Sequence, residues 1–178
     1  NTYIALTSTS ACFNRTVELA EKIKEVFPKI KIILGGVHVS ALPEHAMSFK
    51  CFDYAVIGEG EVTTLELLEA LNNNTDLELV DGIVYRQNGS LNYKKKRCPI
   101  KKLDDLPFPA RHLVKDIHSY VPTLCDYSTL PVTNIITSRG CPGLCTFCSH
   151  SVFGRTYRER SAQNIFEEIK EVISKYKI

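Results

Sequence analysis

The stretch Ile30-Lys31-Ile32-Ile33-Leu34-Gly35-Gly36 decides the fold. A short run of mostly apolar, β-branched residues that ends in two glycines is typical of a buried strand followed by a tight turn. A strand without regular polar alternation is expected in a parallel sheet whose two faces are both covered. The segment 30–34 is therefore predicted to be a central parallel strand.

Similar apolar segments lie on either side of it, and helical patterns separate them. Strands are predicted at 3–7 and 54–57, with a helix at 15–27 and a short helical segment at 44–49. Alternating strands and helices predict an α/β fold with a parallel sheet of flavodoxin or Rossmann type. A further amphipathic helix is expected to bury one apolar stripe, formed by Val62, Leu65, Leu68 and Leu71.

Small residues follow each of the three predicted strands. Parallel strands end at the same edge of a sheet, and ligands of such sheets bind beyond that edge. Small side chains let a large ligand approach the backbone closely, although for any one loop alone a simple chain reversal is the stronger explanation. The candidate binding residues are Ser8, Ser10, Gly35, Gly36, Gly58 and Glu59.

A hairpin is predicted after the third strand. The segments 81–86 and 90–93 flank Asn88-Gly89, a dipeptide that strongly favours a tight β-turn. We expect this hairpin to project from the edge of the domain. The basic run 94–97 that follows lacks interleaved aromatic residues and is more typical of a solvated linker, so nucleic acid is not expected as a partner.

Three cysteines stand within eight residues, directly after the apolar run 131–140, which is predicted to form a strand. Cys141, Cys145 and Cys148 follow a C-x3-C-x2-C spacing, with Gly and Pro between them that let the backbone fold around a metal. A four-iron cluster that is held by three cysteines leaves one iron open for another ligand. The spacing therefore indicates a metal site with a free coordination position.

The same three cysteines are also compatible with a structural zinc site. His150 lies two residues after Cys148, so a Cys3His ligand set is sterically feasible. Disulfides are disfavoured because the chain has an odd number of cysteines, seven, and shows no secretory leader. The four cysteines outside the motif are expected to be free thiols: Cys12, Cys51, Cys98 and Cys125.

With Phe147 at the aromatic position before the last cysteine, the loop resembles the signature of radical S-adenosylmethionine enzymes. The resemblance implies that Cys141, Cys145 and Cys148 ligate a 4Fe-4S cluster whose open iron binds S-adenosylmethionine. It further implies an external electron donor, reductive cleavage of S-adenosylmethionine and a small-molecule substrate. The hard chemistry would belong to the cofactors, which the protein positions and shields.

The three strand ends resemble the cobalamin-binding domain of the B12-dependent class of these enzymes, and the segment 103–111, LDDLPFPAR, resembles the connection between its two modules. The resemblance implies that Ser8, Ser10, Gly35 and Gly36 contact the nucleotide tail of cobalamin. Gly58 and Glu59 would border the corrin pocket. His38, beside Gly36, is expected to be a loop histidine without a metal role.

These patterns predict three regions. Residues 1–80 would be the C-terminal part of a cobalamin-binding domain, 81–130 a hairpin and linker, and 131–178 the first βα unit of a radical S-adenosylmethionine partial TIM barrel. In that unit Ser161 is predicted to cap a helix, and Arg155, Arg158 and Arg160 to pair with nearby glutamates. The expected apolar stripe of this helix is Ile165, Phe166, Ile169, Val172, Ile173 and Tyr176.

The predicted function is that of a fragment of a larger enzyme for radical methylation, rearrangement or oxidative cyclisation of an unknown substrate, inactive by itself. The alternative is a cobalamin- or nucleotide-binding α/β module with a structural zinc site and no catalysis. The lack of an apolar run of about 18 residues predicts no membrane span. The odd number of cysteines, the net charge of +2 and the lack of a secretory leader predict a cytoplasmic location.

Overall fold

The computed structural model describes residues 2–121 and 130–178, so Cys125 lies outside the described residues. These residues form two compact units. The first comprises Asn1–Pro99 and Gly143–Arg155, and the second comprises Ile100–Pro142 and Thr156–Ile178. This division by contacts differs from the three regions drawn along the sequence, which remain a prediction.

The first unit is built on a five-stranded sheet in the order β1-β2-β3-β4-β5. The first three strands are parallel, as the sequence predicts, and the last two are antiparallel to their neighbours. The α/β prediction is therefore confirmed. The strands are β1 (Tyr3–Thr7), β2 (Lys31–Gly35), β3 (Tyr54–Val56), β4 (Ile83–Gln87) and β5 (Ser90–Tyr93).

The hairpin of β4 and β5 is an integral part of this sheet. Asn88 and Gly89 both have positive φ, 50° and 80°, as a two-residue hairpin turn requires. The prediction that the hairpin projects from the domain edge is wrong, because β4 pairs with β3, with Ala55 opposite Val84. An exposed strand edge at β3 would offer unpaired backbone groups, and β4 satisfies them.

Helices cover both faces of the sheet. The unit contains α1 (Phe13–Val26), α2 (Val37–Ala41), α3 (Pro43–Ser48) and α4 (Gly60–Asn73). Ile32 and Leu34 of β2 pack in one cluster with α1, whereas Ile33 between them packs with α4 on the other face. Successive strand residues point to opposite faces, so an uninterrupted apolar run is needed where both faces are buried.

Helix α4 buries only part of the predicted apolar stripe. Val62 and Leu65 are 37% and 58% exposed, and the buried positions are Thr63, Leu67 and Ala70. The buried Thr63 hydroxyl is satisfied by hydrogen bonds to the Asp81 carbonyl (3.3 Å) and from Arg97 Nε (2.8 Å). Leu68 and Leu71 of the predicted stripe are partly buried and pack against the core cluster on this face, so the prediction is confirmed for two of its four residues.

The basic run after the hairpin is not simply solvated. Lys94 pairs with Glu78, and Arg97 pairs with Glu66 while its Nε donates to Thr63. The side chains of Lys94 and Arg97 are only 15% and 21% exposed. Two of the four basic residues thus secure the end of the hairpin to neighbouring elements.

The second unit contains β6 (Ser138–Arg139), β7 (Arg158–Glu159) and α5 (Ala162–Tyr176). The two strands pair antiparallel and are only two residues long. The predicted strand over 131–140 is thus confined to its end. Two backbone carbonyls before β6 accept hydrogen bonds from arginine side chains. Arg111 donates to Asn134 O and Arg160 donates to Ile136 O, each at 3.0 Å.

Helix α5 begins as predicted and buries an unexpected residue. Ser161 Oγ accepts from Asn164 N (3.1 Å), which confirms the predicted cap, and Asp104 Oδ1 accepts from Ser161 N (2.9 Å). Of the predicted apolar stripe, Phe166 and Ile173 are more than half exposed. The buried positions of α5 are Glu168 and Val172.

Glu168 is the centre of a buried ion-pair network. Its side chain is 1% exposed, Arg111 Nη2 contacts its Oε1 at 2.6 Å, and Arg160 contacts its Oε2. The prediction that Arg160 pairs with a nearby glutamate is confirmed. Since Arg111 belongs to the segment 103–111, this network fixes the linker segment onto α5.

No helix among the described residues is both long and apolar enough to cross a membrane.

Candidate cofactor-binding edge

The loops after β1 and β2 lie side by side at the carboxyl edge of the sheet. Ser8 N donates to Gly35 O (3.2 Å), and His38 N donates to Ser8 O (3.1 Å). These two bonds continue the pairing of β1 with β2 beyond the strands themselves. The first two predicted loops therefore form one continuous backbone surface.

Gly36 is the position where this surface is most tightly packed. Its backbone has φ 98° and ψ −170°, a region that is essentially restricted to glycine. A Cβ at Gly36 would lie 2.5 Å from Thr7 Oγ1 and 2.9 Å from Ser8 O. Glycine is therefore required at this position both for its conformation and for the close approach of the two loops.

Ser40 connects the third loop to the other two. Its Oγ donates to Gly36 O (2.8 Å) and accepts from Gly58 N (2.9 Å). Gly58 itself has a φ of 83°. The sequence prediction did not include Ser40. The signal that could have indicated it is its position four residues after Gly36, from which a serine hydroxyl can donate to the carbonyl of the preceding helical turn.

Replacing Ser40 by alanine is expected to destabilise the chain by about 1–3 kcal/mol, because Gly58 N and Gly36 O both lose a partner. Urea unfolding followed by circular dichroism measures this loss. Ser48→Ala is the matched control, because the exposed Ser48 hydroxyl also donates to a backbone carbonyl, that of His45 (2.7 Å), but bridges no loops. Equal losses in the two variants would contradict the bridging role of Ser40.

The two predicted serines of the first loop differ in exposure. Ser8 is buried, and its hydroxyl donates to Thr9 O (2.9 Å) and bonds to Thr16 Oγ1 (3.0 Å). Ser10 is exposed at the edge, and its Oγ lies 3.0 Å from His38 Nδ1. Ser10 is therefore the exposed serine of this loop, whereas Ser8 holds the loop in place.

A cavity of about 270 Å³ lies beside the third loop, within the first unit. Gly58 and the buried Glu59 form part of its wall, together with Lys96, Cys98 and Gly154. The structure thus places the two residues predicted to border a ligand pocket at a concave surface.

His38 is not in a loop, as the sequence predicted, but in a helix. It lies in α2, is 4% exposed and stacks on Phe13 with ring centroids 3.8 Å apart. Its Nε2 lies 3.2 Å from His45 Nδ1. Burial, and secondarily the neighbouring His45, lower the pKa of His38. The unpredicted helix α2 carries the ring inward, where Phe13 covers it.

The cysteine loop offers unpaired thiols. Cys141, Cys145 and Cys148 are exposed and free, and the Cys148 amide donates to Cys145 O at 3.2 Å in a tight turn. Cys141 belongs to the second unit and the other two to the first. Among residues 2–121 and 130–178, no three His, Cys, Asp or Glu side chains are arranged as a metal site. The donor set itself, three thiols, is the kind that iron–sulfur clusters use.

The chain is similar to known proteins over both the edge of the sheet and the cysteine loop. Residues 2–68 match the B12 binding domain family. The chain is 31% identical over 98% of its length to an uncharacterized methyltransferase of Pyrococcus horikoshii, and 30% identical over 92% to an anaerobic magnesium-protoporphyrin IX monomethyl ester cyclase of Rubrivivax gelatinosus. It spans 37% and 29% of the lengths of these two relatives.

A solved structure shares the fold. The cobalamin-dependent S-adenosylmethionine radical enzyme OxsB, with aquacobalamin and S-adenosylmethionine bound, matches 99% of this chain with a TM-score of 0.74 at 19% identity. The match spans 24% of the OxsB chain.

Proposed function

We propose that this chain, whose residues 2–68 match the B12 binding domain family, is the cobalamin-binding and cluster-binding part of a B12-dependent radical S-adenosylmethionine enzyme. Along most of its length the chain is similar to a methyltransferase and to a cyclase. The observation that supports the proposal is the continuous edge at which Ser40 joins Gly36 to Gly58. An edge of this kind, beyond the carboxyl ends of parallel strands, is where α/β sheets bind large ligands.

The residues of the edge fit the nucleotide tail of cobalamin. Ser10 is exposed and carries a hydroxyl, and the backbone at Gly35 is open to close approach, because the nearest atom to a Cβ there would be Leu6 O at 4.0 Å. Gly36 instead lets the first two loops approach each other. Ser8 would act from inside the loop by fixing its shape. Gly58 and Glu59, at the wall of the cavity, would border the corrin ring.

The cysteine loop fits a 4Fe-4S cluster. Cys141, Cys145 and Cys148 would provide three thiolates, and the open position of such a cluster would take S-adenosylmethionine. When bound, the cluster supplies an electron from an external donor for cleavage of S-adenosylmethionine, and cobalamin supplies methyl-transfer chemistry.

The reaction that we propose for the whole enzyme is radical methylation, rearrangement or oxidative cyclisation of a small molecule in the cytoplasm. The names of the two relatives, a methyltransferase and a cyclase, support methylation and cyclisation within this range.

Anaerobic reconstitution with iron, sulfide and aquacobalamin tests the proposal. We expect about four irons per chain and a bound corrin spectrum, since both binding regions are present. Cys145→Ala is expected to lose the iron and keep the corrin, because its thiolate lies outside the edge of the sheet. Cys12→Ala, which removes an exposed thiol outside the motif, is the matched control and should retain the iron. An iron content that is the same in Cys145→Ala as in the wild-type chain would contradict the proposal. A wild-type chain that binds no corrin would also contradict it.

A second candidate is a cobalamin- or nucleotide-binding module with a structural zinc site. One observation favours it: His150 Nε2 is buried and has no hydrogen-bond partner among the described residues, two positions after Cys148. Cys3His is an established zinc ligand set. Metal analysis of the protein before iron, sulfide or cobalamin is added separates the two, because this candidate predicts colourless protein with about one zinc per chain that is lost in His150→Ala.

A further inference from the structure

Three side chains form a continuous polar path from the protein surface to the cofactor edge. His45 Nδ1 lies 3.2 Å from His38 Nε2, and His38 Nδ1 lies 3.0 Å from Ser10 Oγ. His45 and Ser10 are exposed, whereas His38 between them is buried. The buried ring is therefore in contact with an exposed group through each of its nitrogens.

Aromatic packing holds the His38 ring in this orientation. Phe13 stacks on it with an interplanar angle of 24°. His45 in turn packs edge-on against Phe49, with ring centroids 5.6 Å apart. A ring that is packed in this way keeps each nitrogen facing its own partner.

A neutral imidazole carries one proton, so its two hydrogen bonds must have opposite sense. If His38 donates from Nε2 to His45, its Nδ1 must accept the Ser10 hydroxyl proton, and Ser10 can then only accept from a ligand. If His45 donates to His38, then His38 donates from Nδ1 to Ser10, and the Ser10 hydroxyl is free to donate. The lowered pKa of His38, caused first by burial, favours its neutral form.

We infer that Ser10, His38 and His45 form a hydrogen-bond relay through which His45 sets the Ser10 hydroxyl as a donor toward the nucleotide tail of cobalamin. The identity of the ligand rests on the proposed function. The tail is rich in acceptors, namely phosphate oxygens, ribose oxygens and a base nitrogen, so the arrangement in which Ser10 donates is the one that binds. His38 and His45 are positioning residues in this relay, because they act through Ser10.

The experiment is a double-mutant cycle on the chain, with aquacobalamin and cobinamide as probes, since cobinamide lacks the nucleotide tail. His45→Phe keeps an aromatic ring against Phe49 and His38 but removes the hydrogen bond. We expect His45→Phe and Ser10→Ala each to raise the Kd for aquacobalamin by about threefold to tenfold, the equivalent of one hydrogen bond. The double variant should bind no more weakly than Ser10→Ala alone, and the Kd for cobinamide should not change.

The matched control is His112→Phe, which alters an exposed histidine of the second unit and should leave both affinities unchanged. Effects of His45→Phe and Ser10→Ala that add in the double variant, or that extend equally to cobinamide, would overturn the relay.

Nitrogen-15 chemical shifts of the histidine rings provide a readout that needs no ligand. The relay predicts that Ser10→Ala shifts the proton distribution of both His38 and His45, and unchanged His45 shifts would overturn it. If the wild-type chain binds neither probe, the proposed function fails, and these shifts still decide on the relay.

Discussion

Replacing Gly36 by alanine is expected to lower the free energy of unfolding by about 3 kcal/mol or more and to abolish cobalamin binding. The backbone region that Gly36 occupies costs another residue roughly 1–3 kcal/mol, and the overpacking adds about 1–3 kcal/mol. The added Cβ would meet Ser8 O at 2.9 Å, and a backbone atom cannot swing aside as a side chain can. The loops after β1 and β2 would have to separate, which would dismantle the proposed binding edge.

Thermal unfolding and an aquacobalamin titration measure the two effects. A loss of about 3 kcal/mol corresponds to a fall in Tm of roughly 6–12 °C for a chain of this size. Gly89→Ala is the matched control, since Gly89 also has positive φ, 80°, but a Cβ added there would meet no atom within 4 Å. That variant should lose about 1 kcal/mol and bind cobalamin normally. Normal cobalamin affinity in Gly36→Ala would contradict the proposed site.

Replacing Glu168 by alanine is expected to cost about 3–5 kcal/mol, because Arg111 and Arg160 would keep buried charges without their counter-ion. The Arg111 and Arg160 side chains are 8% and 11% exposed, so water cannot readily replace the carboxylate. Since Arg111 lies in the linker segment, its release should also free that segment from α5. Urea unfolding, together with proteolysis of the segment 103–111, measures both consequences.

Glu167→Ala is the control for this prediction. Glu167 is the preceding residue of the same helix and pairs with Lys170 at 3.0 Å, but both side chains are about half exposed. An exposed pair of this kind contributes little, so the variant should change stability by about 0.5 kcal/mol or less. If the Glu167 and Glu168 variants were equally stable, the buried network would not be what holds the linker.

Much of the fold could be predicted from local patterns. The strand 3–7, the hairpin turn at Asn88-Gly89 and the cap at Ser161 all lie where the sequence predicts them. Each depends on residues that are close in sequence, such as an apolar run, a turn dipeptide or a hydroxyl three residues from an amide. The C-x3-C-x2-C spacing is equally local, and its assignment to a cluster remains a prediction.

Other features were decided only by tertiary structure. Four apolar residues on α4 could not reveal that the most buried positions of the helix would be Thr63, Leu67 and Ala70, because that choice depends on the sheet it packs against. From the sequence alone, Glu168 is expected to be a surface residue. It can be buried because Arg111, 57 positions away in the chain, donates a hydrogen bond to it. The same is true of the Ser40 bridge to Gly58, 18 positions away.

The sequence by itself therefore determined the strands, the turns and the small residues that make an α/β edge, because short-range sterics and periodicity specify them. Only the tertiary structure decided that His38 is buried against Phe13, which face of α4 packs on the sheet and which polar groups share a hydrogen bond. The physical reason is that burial and pairing of polar groups depend on partners far along the chain. Their positions are fixed only when the sheet and its helices have packed together.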